Sequence, residues 1–203
     1  MQTHNDLIKR LIDIEALKTP RIIDAFRRID RACFVLPDHK DIAYEDYPLT
    51  IGYGATISQP YTVAFMFELL QPKPGEKILD VGSGSAWTTA LLSQIVGVTG
   101  KVFGVEIVPE LVEFGKSNLK NYNFPQTQIV QATEELGLTK EAPFDKILVS
   151  AASWDEPKKL IMQLKPLGKL VTPIRNSIWQ IDKLADETTA SQEFPGFTFV
   201  PLK

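Results

Sequence analysis

The chain has 203 residues, 44% hydrophobic and 23% charged, with 22 basic against 25 acidic side chains and a net charge of −3. That composition supplies the core of one large domain and argues against a nucleic-acid binder working through a basic surface. One cysteine, Cys33, excludes an intramolecular disulfide framework, and with only His4 and His39 beside it there is no zinc-ligand cluster, so no metal is expected. No apolar run approaches the roughly 20 residues of a membrane span. Met1-Gln-Thr-His-Asn-Asp6 lacks the basic-then-apolar pattern of a signal peptide. The expectation is a cytoplasmic, monomeric globular protein with neither nucleic-acid nor membrane partners.

In chain order, residues 6–18 set Leu7, Ile8, Leu11, Ile12, Ile14 and Leu17 at helical spacing, with Asn5 or Asp6 as the cap. A second helix is predicted over 21–29, with Ile22, Ile23, Phe26 and Ile29 facing inward. From Cys33 to Thr50, prolines and aromatics predict an irregular, partly buried loop. Gly52 and Gly54 then point to unusual backbone angles or close approach to another group. Ser58 reads locally as the N-cap of a helix carrying Val63, Ala64, Phe67 and Leu70, with Pro60 in its first turn. A capped helix start is also a well-fixed place for a hydroxyl.

Strands are predicted at about 77–81, 101–106, 128–130, within 143–150 and at 169–174, with helices over about 85–95, 109–121 and 157–164. After Ser177, Ile178, Ile181 and Leu184 suggest one more strand or turn, and Phe197-Thr-Phe-Val-Pro-Leu202 a final strand. The alternation implies an α/β fold with a mostly parallel sheet and helices on both faces. The divisions are an N-terminal helical extension (1–48), an α/β core (49–176) and C-terminal strands (177–203), within one domain. Gly82, Glu106, Thr133 and Ser150 fall at the carboxyl edge of the sheet, where such folds bind ligands.

Lys77-Ile-Leu-Asp-Val-Gly-Ser-Gly-Ser-Ala-Trp87 is a strand feeding a helix through a glycine turn, an arrangement suited to a nucleotide-like ligand. An NAD site requires a third glycine where Trp87 stands. Asp80, Gly82 and Gly84 instead match the acid-x-Gly-x-Gly arrangement that cradles the amino-acid end of S-adenosylmethionine. Glu106, 24 residues after Gly82, sits where an acid binds ribose hydroxyls.

The chain resembles the protein-L-isoaspartate O-methyltransferases. The resemblance is carried by Ile51-Gly-Tyr-Gly-Ala-Thr-Ile-Ser-Gln-Pro60, Leu79-Asp-Val-Gly-Ser-Gly-Ser85, Gly100-Lys-Val-Phe-Gly-Val-Glu106, Ala142-Pro-Phe-Asp145, Val149-Ser-Ala-Ala152 and Gln163-Leu-Lys-Pro166. It implies a Rossmann-like class I methyltransferase fold. It also implies transfer of a methyl group from S-adenosylmethionine to the α-carboxylate of L-isoaspartyl residues in damaged proteins and peptides. By resemblance Ser58 aims the carboxylate. Tyr53, Gly54, Asp80, Gly82, Ser83, Gly84, Glu106, Ile107, Ala132 and Thr133 hold the cofactor, and Ile57, Pro60, Val200 and Pro201 meet the substrate. The alternatives are a methyltransferase acting on another carboxylate and a catalytically weak homologue that binds cofactor or peptide. Three positions depart from the family pattern: Ala86 for a third glycine, Ala132-Thr-Glu134 for Gly-Asp-Gly, and Pro166-Leu-Gly168 for Pro-Gly-Gly. These departures lie on the cofactor side, while Thr56-Ile-Ser-Gln-Pro60 is intact, and weaker cofactor binding is the expectation they carry.

Overall fold

Ile78, Leu79 and Val81 put apolar side chains on both faces of one extended segment, and such a strand needs cover on both sides. The computed structural model, which describes residues 2–202, provides that cover. Its elements are α1 (His4–Asp13), α2 (Pro20–Arg28), β1 (Leu49–Gly52), β2 (Ala55–Ile57), α3 (Pro60–Leu70), β3 (Lys77–Val81), α4 (Trp87–Val96), β4 (Lys101–Glu106), α5 (Pro109–Leu119), β5 (Thr127–Gln131), β6 (Phe144–Val149), α6 (Lys158–Ile161), β7 (Leu164–Ile174), β8 (Ser177–Lys183) and β9 (Thr189–Pro195).

Among the described residues the main sheet has seven strands, in the order β5-β4-β3-β6-β7-β8-β9. The pairs from β5 to β7 are parallel, and β7, β8 and β9 form an antiparallel meander. Ile78, Val102, Leu148 and Val171 share one core with α1, α2, α3 and α4. Leu79, Phe103, Ile147 and Leu170, one residue along each strand, fill the opposite face with Leu160 of α6. The two-residue period of the strand sorts adjacent apolar residues to the two faces.

Several boundaries shift for identifiable reasons. Helix α1 starts at His4 because Thr3, not Asn5 or Asp6, is the cap. Thr3 Oγ1 accepts from Asp6 N at 3.2 Å, and the Asp6 carboxylate accepts from Thr3 N at 3.0 Å. The helix stops at Asp13, before the expected residue 18, because Glu15 turns left-handed at φ 58°. Helix α4 begins at Trp87 rather than near Ser85, because Ala86 is also left-handed at φ 70°. The helix predicted over 157–164 is a single turn, Lys158–Ile161. Residues 165–168 become an irregularity inside β7, whose register against β6 shifts after Phe144.

The segment 197–202 is not a sheet strand; it makes one isolated parallel bridge, Pro201 to Ala152. The final strand is β9, whose residues Thr189–Glu193 are all exposed. Its polar run has no apolar alternation to reveal it, and pairing with β8 alone makes it a strand. The paired glycines at 52 and 54 resolve into a hairpin between β1 and β2. Its two loop residues, Tyr53 and Gly54, have φ 56° and 74°, the positive values a tight hairpin turn requires.

Gly104 in β4 lets α4 approach the sheet. A methyl group there would lie 2.6 Å from Ile129 Cδ1, 3.0 Å from Thr89 Oγ1 and 3.1 Å from Ser83 Cβ. Gly104→Ala is expected to cost about 1–3 kcal/mol by overpacking, lowering Tm by several degrees in thermal denaturation. An unchanged Tm would show that Ile129 swings clear without cost.

Candidate functional site

The chain leaves β3 toward β4 and β5 on one side and returns to β6 and β7 on the other, so β3 and β6 flank the point where the sheet order reverses. Loops diverge there and leave a crevice. A cleft of about 1100 Å³, open to solvent, occupies that edge.

Its floor is the turn from β3 to α4. Gly82 and Gly84 have φ 75° and 51°, which a side chain would strain. Gly82 N and Ser83 N both donate to Val105 O, at 2.8 and 3.1 Å, pinning the turn to β4. Behind it lies Asp80, fully buried, whose Oδ2 accepts from Thr88 Oγ1 at 2.7 Å and Thr89 Oγ1 at 2.6 Å. The carboxylate thus ties the strand end to the first turn of α4, while Oδ1 has no partner among the described residues. Burial pushes the Asp80 carboxyl up to about 6, against the pull of the two hydroxyls.

Ala86 is buried, and its methyl group faces away from the cleft into the gap left by Gly115 of α5. A methyl added at Gly115 would come within 3.2 Å of it. Alanine in place of glycine therefore does not crowd a ligand. It costs the backbone roughly 1–2 kcal/mol for a left-handed residue with a Cβ.

Glu106 ends β4. Its Oε2 accepts from Gly84 N and its Oε1 from Val108 N, both at 2.9 Å, so the carboxylate is held rigid at the cleft wall. Each oxygen keeps a further lone pair for a ligand hydroxyl. Ile107 is beside it, and Ala132 N donates to Glu106 O at 2.7 Å, bringing the end of β5 to the same wall. Thr133 Oγ1 accepts from Glu135 N at 3.3 Å. Ser150 and Ala151, after β6, close the floor.

The opposite wall is Tyr53 to Ser58. The local reading of Ser58 as a helix cap does not hold. Gln59 occupies the N-cap position of α3, without a side-chain capping bond. The capping acceptor comes instead from Asp46, whose Oδ1 receives Tyr61 N at 2.8 Å. The Ser58 hydroxyl lines the cleft, and none of the described residues shares a hydrogen bond with it. Its carbonyl oxygen accepts from Arg31 Nη2 at 3.1 Å.

Arg31 is fully buried. Beyond Ser58 O, it donates to the carbonyl oxygens of Ala43 (2.6 Å), Glu45 (3.3 Å) and Tyr47 (3.1 Å). Its guanidinium carbon lies 5.4 Å from the centre of the Trp87 ring. Burial pulls its pKa down to about 10, so it stays protonated at neutral pH.

Val200, Pro201 and Leu202 complete the rim, held by Ala152 N donating to Val200 O and Leu202 N to Ala152 O, both at 2.8 Å. The cleft therefore gathers Ser58, Tyr53, Gly54, Gly82, Ser83, Gly84, Glu106, Ile107, Ala132, Thr133, Ile57, Val200 and Pro201. Two expected residues are not on its wall: Asp80 lies behind the turn, and Pro60 is buried as the first residue of α3. Sequence reasoning did not single out Thr88, Val108, Leu136, Gly137 or Ala151 as site residues, and all line the cleft. For Thr88 a signal existed, since two threonines in the first helical turn face back toward the strand-end acid.

Asp80 carries a pH dependence with a definite sign. Its carboxyl titrates near 6 in the folded chain against an ordinary 3.8, so between those values the folded state holds the extra proton. Its contribution to stability rises as pH falls from 7 to 4. Asp80→Asn should remove that component. The Tm difference, wild type minus variant, is expected to grow more positive from pH 7 to 4 in thermal melts, and a constant difference would contradict the buried titration.

A family model described as Protein-L-isoaspartate(D-aspartate) O-methyltransferase (PCMT) matches residues 2–203. The protein-L-isoaspartate O-methyltransferase of Methanopyrus kandleri is 39% identical over 201 residues, covering 97% of this chain and 89% of that one. Protein-L-isoaspartate O-methyltransferase 2 of Archaeoglobus fulgidus is 41% identical over 186 residues, covering 90% and 85%. A Plasmodium falciparum structure assigned to the same enzyme class, in complex with S-adenosyl-L-homocysteine, matches with a TM-score of 0.88 at 26% identity, over 100% of this chain and 99% of that chain. The fold is accordingly the Rossmann-like class I methyltransferase fold that the sequence implied. With a match from residue 2 to residue 203 and relatives near 40% identity, the chain belongs to the protein-L-isoaspartate (D-aspartate) O-methyltransferase family.

Proposed function

We propose that this protein transfers the methyl group of S-adenosylmethionine to the α-carboxylate of L-isoaspartyl residues in damaged proteins and peptides. The observation that carries the reading is the cleft itself. An uncommitted serine hydroxyl on one wall faces a glycine turn and a rigid acid on the other.

The residues present fit the cofactor. Ser83 Oγ and Trp87 Nε1 are buried on cleft-lining residues and have no partner among the described residues. Gly82 and Gly84 leave the backbone open to close approach. Glu106 offers acceptors suited to vicinal hydroxyls, while Ile107, Val108 and Leu136 offer apolar wall for a planar base. Ala132 and Thr133 complete that side, and Tyr53 and Gly54 face it from the opposite wall. When bound, S-adenosylmethionine supplies an electrophilic methyl group.

The lining chemistry suits a substrate that arrives already ionised. A carboxylate with pKa near 4 needs no general base at pH 7. Among the described residues that line the cleft there is no histidine, lysine or cysteine; the lining carboxylates are Glu134, Glu135 and Glu106, the last held by two backbone amides. What remains for the chain is orientation: Ser58 donates to the carboxylate and holds it in place, and proximity does the rest. Ile57, Val200 and Pro201 form the mouth that an extended peptide would enter, with Pro60 buried behind it as the first residue of α3. The neighbouring backbone amide nitrogen then attacks the ester carbonyl and gives up its proton as methanol leaves, forming a succinimide whose hydrolysis returns part of the damaged residue to normal aspartate. The chain acts as one catalytic unit, as a monomer in the cytoplasm. The free thiol of Cys33 suits a reducing compartment, and the near-balanced charge suits protein rather than nucleic-acid substrates.

Incubation with labelled S-adenosylmethionine and an isoaspartyl peptide, beside its aspartyl twin, is expected to give base-labile label in the isoaspartyl form alone. Label in both peptides, or in neither, would refute the assignment. Ser58→Ala removes one hydrogen bond to a charged group, worth about 1.5–3 kcal/mol. The expected result is a kcat roughly 10–100-fold lower with calorimetric affinity for S-adenosylhomocysteine retained, and an unchanged kcat would remove Ser58 from the mechanism.

A further inference from the structure

Arg31 lies outside every motif that carries the family resemblance, and it does not line the cleft. Yet it is fully buried. Its guanidinium holds the carbonyl oxygen of Ser58 and stacks over Trp87, the first residue of the helix that follows the glycine turn. It also gathers the carbonyls of Ala43, Glu45 and Tyr47, fixing the irregular segment from which Asp46 reaches Tyr61 N. The turn that carries Ser58 is thus gripped twice: by Arg31 at the Ser58 carbonyl, and by Asp46 at the Tyr61 amide.

We propose that Arg31, assisted by Asp46, is a positioning residue for methyl transfer, setting where the Ser58 hydroxyl stands relative to the cofactor wall. This rests on the reading of Ser58 given above. In-line transfer tolerates little error, since a displacement of about 1 Å can cost on the order of a hundredfold in rate. A backbone held only by its own loop would not meet that tolerance. The guanidinium suits the task because its two Nη groups, fixed in one rigid plane, spread over four carbonyl oxygens; Nε has no partner among the described residues. Lysine has three donors at one point, so it must release at least one of those carbonyls.

The test is a double-mutant cycle of Arg31→Lys with Ser58→Ala on the full chain, read by kcat with an isoaspartyl peptide, KM for that peptide and calorimetric affinity for S-adenosylhomocysteine. Arg31→Lys is expected to lower kcat at least tenfold while changing S-adenosylhomocysteine affinity less than threefold. In the Ser58→Ala background the same substitution should then lower kcat less than twofold, because the hydroxyl it positions is gone. A purely structural arginine would give losses that multiply. Multiplying losses, or an Arg31→Lys enzyme with wild-type kcat, would overturn the proposal. If Arg31→Lys does not fold, Asp46→Ala takes its place in the same cycle, with the same criterion of shared or multiplying losses. A wild-type chain inactive on isoaspartyl peptide would instead refute the reading of Ser58, and this assignment with it. An active wild type with multiplying losses would refute the positioning role alone.

Discussion

Two neighbouring strands, β3 and β6, hand the chain off in opposite directions, and the cleft exists because of that divergence. No loop can cross directly above the gap between their carboxyl ends, so the sheet edge stays open there. Residues following each strand then face one another at close range: a methyl placed on Gly82 would lie 3.8 Å from the Ala151 methyl. The glycine turn is thus shaped from both sides of the reversal. The buried Asp80, behind it, ties strand end to helix start through Thr88 and Thr89. An ionised carboxylate is costly in that setting, and two hydroxyl donors offset only part of the desolvation.

The other half of the site comes from outside the parallel core. The β1–β2 hairpin and the turn at Ser58 are not part of the main sheet, so its hydrogen-bonding ladder does not position them. They are positioned by the segment before them, through a buried cation. Removing a guanidinium from water is unfavourable unless its donors are matched. Here four carbonyl oxygens match the two Nη groups and an aromatic face lies against the guanidinium, while Nε has no partner among the described residues. Three of these carbonyls, of Ala43, Glu45 and Tyr47, belong to one irregular stretch, which the cation thereby supplies with donors. The two N-terminal helices supply apolar cover for this arrangement, with Phe26 edge-on to Trp87 at 5.8 Å.

Much of this was legible in the residues, and the exceptions share a cause. Lys77–Val81 and Lys101–Glu106 are readable because a doubly covered strand carries adjacent apolar residues, Ile78-Leu79 and Val102-Phe103, that point to both faces. β9 is unreadable because Thr189-Ala-Ser-Gln-Glu193 makes an exposed edge, defined by its partner rather than its own side chains. The segment 197–202 has the composition of a strand, yet it makes a single bridge at Ala152. Ser58 before Pro60 has the local chemistry of a cap, but Asp46, 15 residues before Tyr61, supplies the capping acceptor at the Tyr61 amide, and the hydroxyl stays uncommitted. Ala86 reads as a methyl group near a ligand. Only its left-handed backbone and the bare Cα of Gly115 turn that methyl toward α5.

What the sequence by itself determined is the cofactor half of the cleft. A strand, a glycine turn and a helix are contiguous in the chain, and their geometry follows from local backbone freedom and from two-residue periodicity. Glu106 falls beside them because the next parallel strand must return alongside the first. Only the tertiary structure decided how the substrate half is held. Arg31, Asp46 and Ser58 are dispersed in the chain, and an arginine or an aspartate in a loop has the same local chemistry whether it is solvated or buried. Its role is set by which carbonyls, amides and rings the folded core brings within hydrogen-bonding distance, and that is a property of packing between distant segments, not of any one segment.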